Sequence, residues 1–413
     1  MENANASAQV LSKPERRNLL VSVGMSWLFD AMDVALISFV AAALAAQWSL
    51  GSQQIGVLTA INSVGMAVGA ACAGILADRF GRKSVLLWTL LIFSLASGLS
   101  AVATGFVMLC ILRFISGFGL GGELPVASTL VSESVPASER GRTVVLLESF
   151  WAGGWILAAL IAYFIIPQFQ SGWRIAFALG ALPALYALYL RRKIDDSPRF
   201  VSQQQVKREK LTLGQRFSLV WAKEHRKTSI MLWILWFTVV FSYYGMFLWL
   251  PQVMVYKDYS LTKSFEYVLI MTLAQLPGYF TAAYFIEKFG RKFVLVVYLV
   301  LTAASAIWFG MADTTGALIA AGICLSFFNL GAWGGLYAYT PEHYPTKIRT
   351  TGAGLAASFG RIGGIIAPFL VGWLISQNVA ISSIFTMFCI TILVGAAAVA
   401  FLGKETKGTE LEN

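Results

Sequence analysis

Long, nearly unbroken apolar runs separated by short polar connections set the pattern of this chain from end to end. Twelve such runs fall at about 19–46, 54–77, 84–103, 107–131, 143–166, 172–191, 228–250, 264–286, 293–311, 316–338, 352–376 and 380–402. A helix crossing ~30 Å of hydrocarbon needs roughly 20 residues, which each run supplies. Within lipid, helices satisfy their own backbone donors and acceptors, so the expected fold is an all-α integral membrane protein. Most connections are short, as antiparallel neighbours require. The exception is 192–227, polar, basic and rich in Gln and Lys, which is expected to include amphipathic helix at the membrane surface. The chain then divides into a six-helix bundle (1–191), a cytoplasmic linker (192–227) and a second six-helix bundle (228–413).

Two of the connections are related to each other. Asp78-Arg79-Phe80-Gly81-Arg82-Lys83 returns 209 positions later as Glu287-Lys288-Phe289-Gly290-Arg291-Lys292, each position keeping its identity or its charge sign. The same offset carries Glu133, Pro136 and Arg140 onto Glu342, Pro345 and Arg349. A constant offset across two motifs points to an internal duplication, with the halves related by an axis along the membrane normal. These loops suit gating. Asp78 and Glu287 can cap the next helix or meet a basic residue of the other half, in loops that also hold Arg82 and Arg291. Glu133 with Arg140, and Glu342 with Arg349, offer matching ion pairs for a latch that breaks when the site opens inward.

Composition sharpens the class. Charged residues make up 13% of the 413 residues and apolar ones 57%, too little charge to cover a soluble protein of this length. The net charge of +10 is topological: Lys and Arg crowd alternate connections, most densely from Arg191 to Lys227. The opposite connections carry only Arg174, Lys257 and Lys263. By the positive-inside rule both termini are cytoplasmic, and nucleic-acid binding is a poor match. Cys72, Cys110, Cys324 and Cys389 lie within apolar runs without metal-type spacing and read as reduced packing residues. The first run is too long for a signal-peptide core and holds two aspartates.

Ionisable residues inside the runs are the strongest functional signal, because each costs several kcal/mol unless paired or hydrated. They are Asp30, Asp33, Arg113, Glu123, Glu148 and Arg361. At ~1.5 Å per residue, Asp33 lies about 21 Å from the start of the first run and Arg113 about 9 Å from the outer end of the fourth. The two therefore share a level, and an Asp33–Arg113 pair is expected. Asp30 and Arg361 fall near the midplane, Glu123 and Glu148 in the cytoplasmic third. Asp30, Asp33 and Glu123 are candidates for proton coupling, with helix-locking ion pairs as the alternative; Glu148 reads as structural. Asn329, Trp333 and Tyr337 form one stripe at i, i+4 and i+8. Trp27 shares a face with Asp30, while Tyr243, Tyr244 and Trp249 crowd the outer end of the seventh run, and Trp151 and Trp155 belong to the fifth. Such aromatic walls suit a small flat ligand, or plain packing, which fits Trp249 and Trp155 better. Glycines 65, 69, 74, 117, 119, 121 and 122 permit close helix contact, although Gly is common in membrane helices.

At these motifs the chain resembles the major facilitator superfamily over its full length. The loop from Asp78 to Lys83 is similar to that superfamily's most specific motif. Arg113-Phe-Ile-Ser-Gly117-Phe-Gly-Leu-Gly121-Gly-Glu123 looks like its fourth-helix motif, and Asp196-Ser-Pro-Arg199 resembles the sugar-porter motif. The fifth run lacks the Gly-Pro signature of antiporters, which implies symport or uniport. Gly24-Met-Ser-Trp-Leu-Phe-Asp-Ala-Met-Asp33, Gly121 to Glu133, Phe241 to Pro251, Ser264 to Leu269 and Gly360 to Gly364 are similar to the family of bacterial niacin/nicotinamide permeases. That resemblance implies uptake of a pyridine carboxylate or its amide across the bacterial inner membrane, and the intramembrane carboxylates make proton linkage the expectation. The Asp30…Asp33 pair also resembles that of proton-coupled aromatic-acid symporters, with Ala31 where they carry Gly. An aromatic sandwich with Arg113 or Arg361 would hold a nicotinate ring and carboxylate, and Asn329 would serve the amide.

Other classes fit less well. The two histidines, His225 and His343, sit in connections, and no nucleophile, metal cluster or cofactor motif accompanies them, so neither an enzyme nor a resident cofactor is expected. A membrane sensor would bring a soluble signalling domain. The remaining rival is a proton symporter for another aromatic acid such as benzoate. The expected partners are the substrate, protons and lipid, with the protein a monomer.

Overall fold

A computed structural model describes residues 13–80, 82–134, 140–193, 213–345 and 348–407. Regular structure among them is helical: α1 (Lys13–Gln47), α2 (Ser52–Phe80), α3 (Arg82–Ser100), α4 (Phe106–Ser134), α5 (Arg140–Phe164), α6 (Gly172–Leu179), α7 (Pro183–Lys193) and α8 (Leu213–Val220). There follow α9 (Arg226–Phe247), α10 (Leu250–Tyr256), α11 (Leu261–Leu273), α12 (Gln275–Phe289), α13 (Arg291–Met311), α14 (Thr315–Tyr339), α15 (Arg349–Ser376) and α16 (Ile381–Leu402). Nine helical stretches among the described residues are long and apolar enough to cross a membrane, and Phe106–Gly122 is a shorter apolar one.

The apolar pattern misses the breaks. The expected run at 172–191 is interrupted at 180–182, where Pro183 opens a second helix. Pro can begin a helix because the first backbone donors are unused there. The run at 264–286 breaks at Ala274, and the absent donor of Pro277 falls just inside α12. Leu248 and Trp249 turn the end of α9 into α10, with Pro251 in its first turn. Of the expected linker, 194–212 lie outside the described residues; the rest includes α8, tied to the start of α9 by Ser229 Oγ donating to the Val220 carbonyl at 2.7 Å.

Packing explains why glycine is spent inside helices. A Cβ on Gly65 or Gly69 of α2 would overlap the α4 backbone from Phe114 to Phe118. One on Gly117 or Gly121 would overlap the α2 backbone at Asn62 and Met66. The two helices therefore interlock backbone to backbone, which only residues without side chains permit. Further close pairs are α1 with α5, α9 with α15 and α13 with α16, while α2 with α15 joins the two halves. That joint is sealed at the end of the molecule away from the start of α1. There Gln53 Nε2 donates to Ser376 Oγ at 3.2 Å, and Ser38 Oγ to the Phe247 carbonyl at 3.3 Å. The Phe39 and Phe265 rings meet edge-on at 5.4 Å.

The second repeated loop departs from expectation. Gly290 adopts φ +98°, a conformation glycine takes without steric penalty, and thereby starts α13 directly after α12. The cap on α13 comes from the C-terminal tail: the Glu405 carboxylate accepts from Arg291 N at 2.8 Å and Lys292 N at 3.1 Å. Glu287 pairs with Arg291 at 3.0 Å, and Arg291 Nε lies 3.4 Å from Glu342. The expected Glu342–Arg349 pair is therefore replaced. Glu342 also accepts from Thr406 Oγ1 at 2.5 Å, and Arg349 Nε donates to the carbonyls of Pro341 and Tyr344, each at 3.1 Å. The reason is the tail, which carries Glu405 and Thr406 into the loop. The side chains of Asp78, Arg82, Glu133 and Arg140, the counterparts in the first half, lie outside the described residues, as does that of Glu123.

Candidate functional site

Two buried charged centres occupy the interior, and they are built differently. The first is the expected Asp33–Arg113 pair, both side chains fully buried, with Arg113 Nη1 3.2 and 3.1 Å from the two carboxylate oxygens. Ser97 donates to Asp33 Oδ1, and Ser116 Oγ to Oδ2 at 2.8 Å. Arg113 Nη2 donates to Ser100 Oγ at 3.0 Å, and the guanidinium sits 4.6 Å from the centroid of Phe177. All these groups come from α1, α3, α4 and α6, so the pair ties together helices of the N-terminal half. Both carboxylate oxygens are fully engaged, as a buried ion pair requires.

The second centre lies where the halves meet. On α5, Glu148, Trp151 and Trp155 fall at i, i+3 and i+7 and form one stripe. Trp27 of α1 packs on Trp151 with ring centroids 4.9 Å apart. Trp151 Nε1 donates to the Tyr243 hydroxyl at 2.6 Å, joining α5 to α9. Tyr243 touches Trp333 at 4.8 Å and Tyr244 at 5.3 Å, and the series continues through Tyr337 to Trp236 at 5.0 Å. Arg361 enters from α15, its Nη1 3.4 Å from the Tyr244 hydroxyl and 3.7 Å from Met66 Sδ across the halves. Trp27, Trp151, Tyr243, Tyr244 and Trp333 are each at least 96% buried, while Tyr337 and Arg361 at the edge of the centre are half-buried.

Glu148, which the sequence suggests is structural, lies in this second centre. Its carboxylate is fully buried and makes no well-formed hydrogen bond among the described residues. Its polar surroundings are the Trp27 and Trp333 indoles and the charge of Arg361. Asp30, 1% exposed, lies one helical turn from Trp27 on α1 and within electrostatic reach of Tyr244, whereas Asp33, three residues on, is bonded inside its own half. Of the expected binding residues, Trp27, Asp30, Trp151, Tyr243, Tyr244, Trp333, Tyr337 and Arg361 come together here. Asn329 lies one helical turn from Trp333 on the same α14 stripe, 2% exposed. Asp33 and Arg113 stand apart. Tyr279 and Gln275 of α12, both fully buried, were not anticipated. The signal for Glu148 was available in its spacing to Trp151 and Trp155.

Trp249 fills a packing role: its Nε1 donates to the Pro368 carbonyl at 3.1 Å. Trp155 lines the outer end of the stripe against Tyr243 and Phe247, at 6.2 and 6.0 Å. No cluster of His, Cys, Asp or Glu among the described residues could hold a metal ion. A groove of about 460 Å³ between α2, α3 and α4 is lined by outward-facing residues such as Leu76, Phe80 and Trp88. It is an outer-surface feature, away from both centres.

Comparison with known proteins fits this architecture. The family described as "Sugar (and other) transporter" matches residues 33–413. The chain is 57% identical over 397 residues to the protein called NiaP in Bacillus subtilis (strain 168), covering 96% of this chain and 98% of that one. It is 46% identical over 420 residues to the niacin transporter NiaP of Acinetobacter baylyi, covering 96% and 95%. The xylose transporter XylE from E. coli, in a partially occluded inward-open conformation, superposes with a TM-score of 0.79 over 97% of this chain and 100% of that one. At 18% identity that likeness establishes the fold alone. With the all-helical architecture, the membrane-length spans and a family match running almost the whole chain, this protein is a multi-pass membrane transporter and not an enzyme: it belongs to the sugar (and other) transporter family.

Proposed function

We propose that this chain takes up niacin, and its amide nicotinamide, across a bacterial inner membrane by alternating access, with a proton moving alongside. The observation that carries the reading is the box of Trp27, Trp151, Tyr243 and Trp333 between the halves, with the Arg361 guanidinium at its wall. A flat anionic ring needs two faces to stack on and one cation for its carboxylate, and this box supplies both. The names of the two relatives support the same substrate: one is called a niacin transporter, and the name of the other joins niacin with nicotinamide. Asn329 is the side chain that would serve an amide. Asp30 and Glu148 lie by the box and are the carboxylates best placed to carry a proton as substrate comes and goes, with Asp33 and Glu123 the further candidates.

The architecture that goes with this reading has twelve spans. Residues 1–191 and 228–413 act as two six-helix bundles related by a pseudo-two-fold axis, with both termini on the cytoplasmic side and the protein working as a monomer. The seal formed by Gln53, Ser376, Ser38 and Phe247 then closes the outward path. Rocking the bundles apart at that seal admits substrate from outside. The duplicated loops at the other end act as the opposing latch.

Uptake of labelled nicotinate into proteoliposomes, with and without an inward proton gradient, tests substrate and coupling together. Saturable uptake that the gradient accelerates and excess nicotinamide inhibits is the expected result. No uptake above empty vesicles would overturn the substrate reading, and uptake indifferent to the gradient would remove the proton.

A further inference from the structure

Beyond the ring box lies a second polar feature with a different character. α12 runs beside α14 in the same direction: Gly278 packs on Phe327 and Gly331, and Tyr279 on Gly334, while Met271 at the end of α11 packs on Gly322. That register brings Gln275 level with Ser326, and Tyr279 a turn further along beside the stripe of Asn329 and Trp333. All four polar side chains are at least 98% buried. Both ends of the Gln275 amide, the Ser326 hydroxyl, the Tyr279 hydroxyl and Asn329 Oδ1 have no hydrogen-bond partner among the described residues. Tyr279 also lies within electrostatic reach of Glu148, Tyr243 and Tyr337, so the patch borders the box.

Buried polar atoms inside a membrane protein are normally paired, and one unmet group is costly to keep. Several on two adjoining helices, beside a substrate box, mark a surface that a ligand completes. None of the four is charged, so the matching ligand group is a neutral heteroatom and not a second anion. All four can donate, and among the unmet atoms the Tyr279 and Ser326 hydroxyls and the Gln275 amide nitrogen are donors.

We infer that the Gln275–Tyr279–Ser326–Asn329 patch reads the ring nitrogen of an N-heteroaromatic carboxylate, and that this is how the transporter separates a pyridine acid from a benzene acid. The inference rests on the niacin reading above, in which Arg361 holds the carboxylate. Across a flat ring, the carboxylate and the ring nitrogen are two separate poles, and the protein offers a cation for one and uncharged donors for the other. Benzoate has the same outline but a C–H where pyridine has its acceptor, so its entry leaves the donors unmet. A site built around a hydrogen bond rejects an analogue lacking that bond far more strongly than shape alone can.

The test is the ratio of benzoate Ki to nicotinate KM for uptake in proteoliposomes, in wild type, Tyr279→Phe and Gln275→Leu. Each variant keeps the bulk of its side chain, and the ratio is independent of how much protein inserts. In wild type the ratio is expected to be at least tenfold. In one or both variants it falls by about tenfold, through weaker nicotinate handling with benzoate unchanged. A ratio unchanged in both variants, or nicotinate and benzoate shifting by the same factor, would overturn the inference while leaving niacin uptake intact. Failure of wild type to take up nicotinate would overturn the function reading itself, and this inference with it.

Discussion

The Asp33–Arg113 pair and the box around Glu148 and Arg361 are both charged and both lie in the interior, but only the first has a carboxylate bonded at both oxygens. Arg113 Nε is the one atom of that pair without a partner among the described residues. Each oxygen of Asp33 is bonded within its own half, by Arg113, Ser97 and Ser116. The Glu148 carboxylate has the Trp27 and Trp333 indole nitrogens near it but no well-formed hydrogen bond to either among the described residues. The box also draws on α1, α5, α9, α14 and α15, elements of both halves. A satisfied buried pair rigidifies the bundle that contains it, whereas an unsatisfied cluster at a joint is free to take a ligand and to part when the halves move. One centre braces, the other binds.

The largest effect that separates them is on stability. Arg113→Leu leaves Asp33 buried without its cation and is expected to cost about 3–5 kcal/mol, read as a sharply lower melting temperature in detergent. Replacing both partners together, with Asp33→Asn and Arg113→Gln, is expected to recover most of that loss. A double variant as unstable as the single one would mean that the pair does more than brace.

Arg361→Gln is next in size. Removing a charge-assisted contact of about 2 kcal/mol weakens nicotinate binding roughly 30-fold, while nicotinamide, without a carboxylate, changes by less than about threefold. Equal losses for both ligands would place the carboxylate elsewhere. Trp151→Phe keeps a ring in the box but deletes the bond to the Tyr243 hydroxyl, an effect of about 1 kcal/mol, or roughly fivefold in affinity with little change in melting. Smallest of all is Glu287→Gln. The Glu287 side chain is 54% exposed in its pair with Arg291, and the cap on α13 comes from Glu405, so stability should move by less than about 1 kcal/mol. A large drop there would show the second loop to be a structural clamp.

What could be read from the chain follows from how local each feature is. Apolar run length gave the helices, and rise per residue put Asp33 level with Arg113, because both depend on short-range geometry. The aromatic stripe of Asn329, Trp333 and Tyr337 was visible for the same reason. The place of Glu148 in the box is not legible from its distance to a helix end, which says nothing about which face points inward, whereas its spacing to Trp151 and Trp155 does. The Glu342–Arg349 pair failed because Glu405 and Thr406 reach the loop from far along the chain, and no local pattern predicts a returning tail. Likewise, the unmet amide of Gln275 becomes meaningful only once α12 is known to lie beside α14.

The account turns on the box, and not the brace, holding the substrate. Equilibrium binding of nicotinate to purified wild type, Arg361→Gln and the Asp33→Asn/Arg113→Gln double variant tests this most directly. A loss of tenfold or more confined to Arg361→Gln is the predicted result. Wild-type affinity in Arg361→Gln, or an equal loss in the double variant, would contradict it.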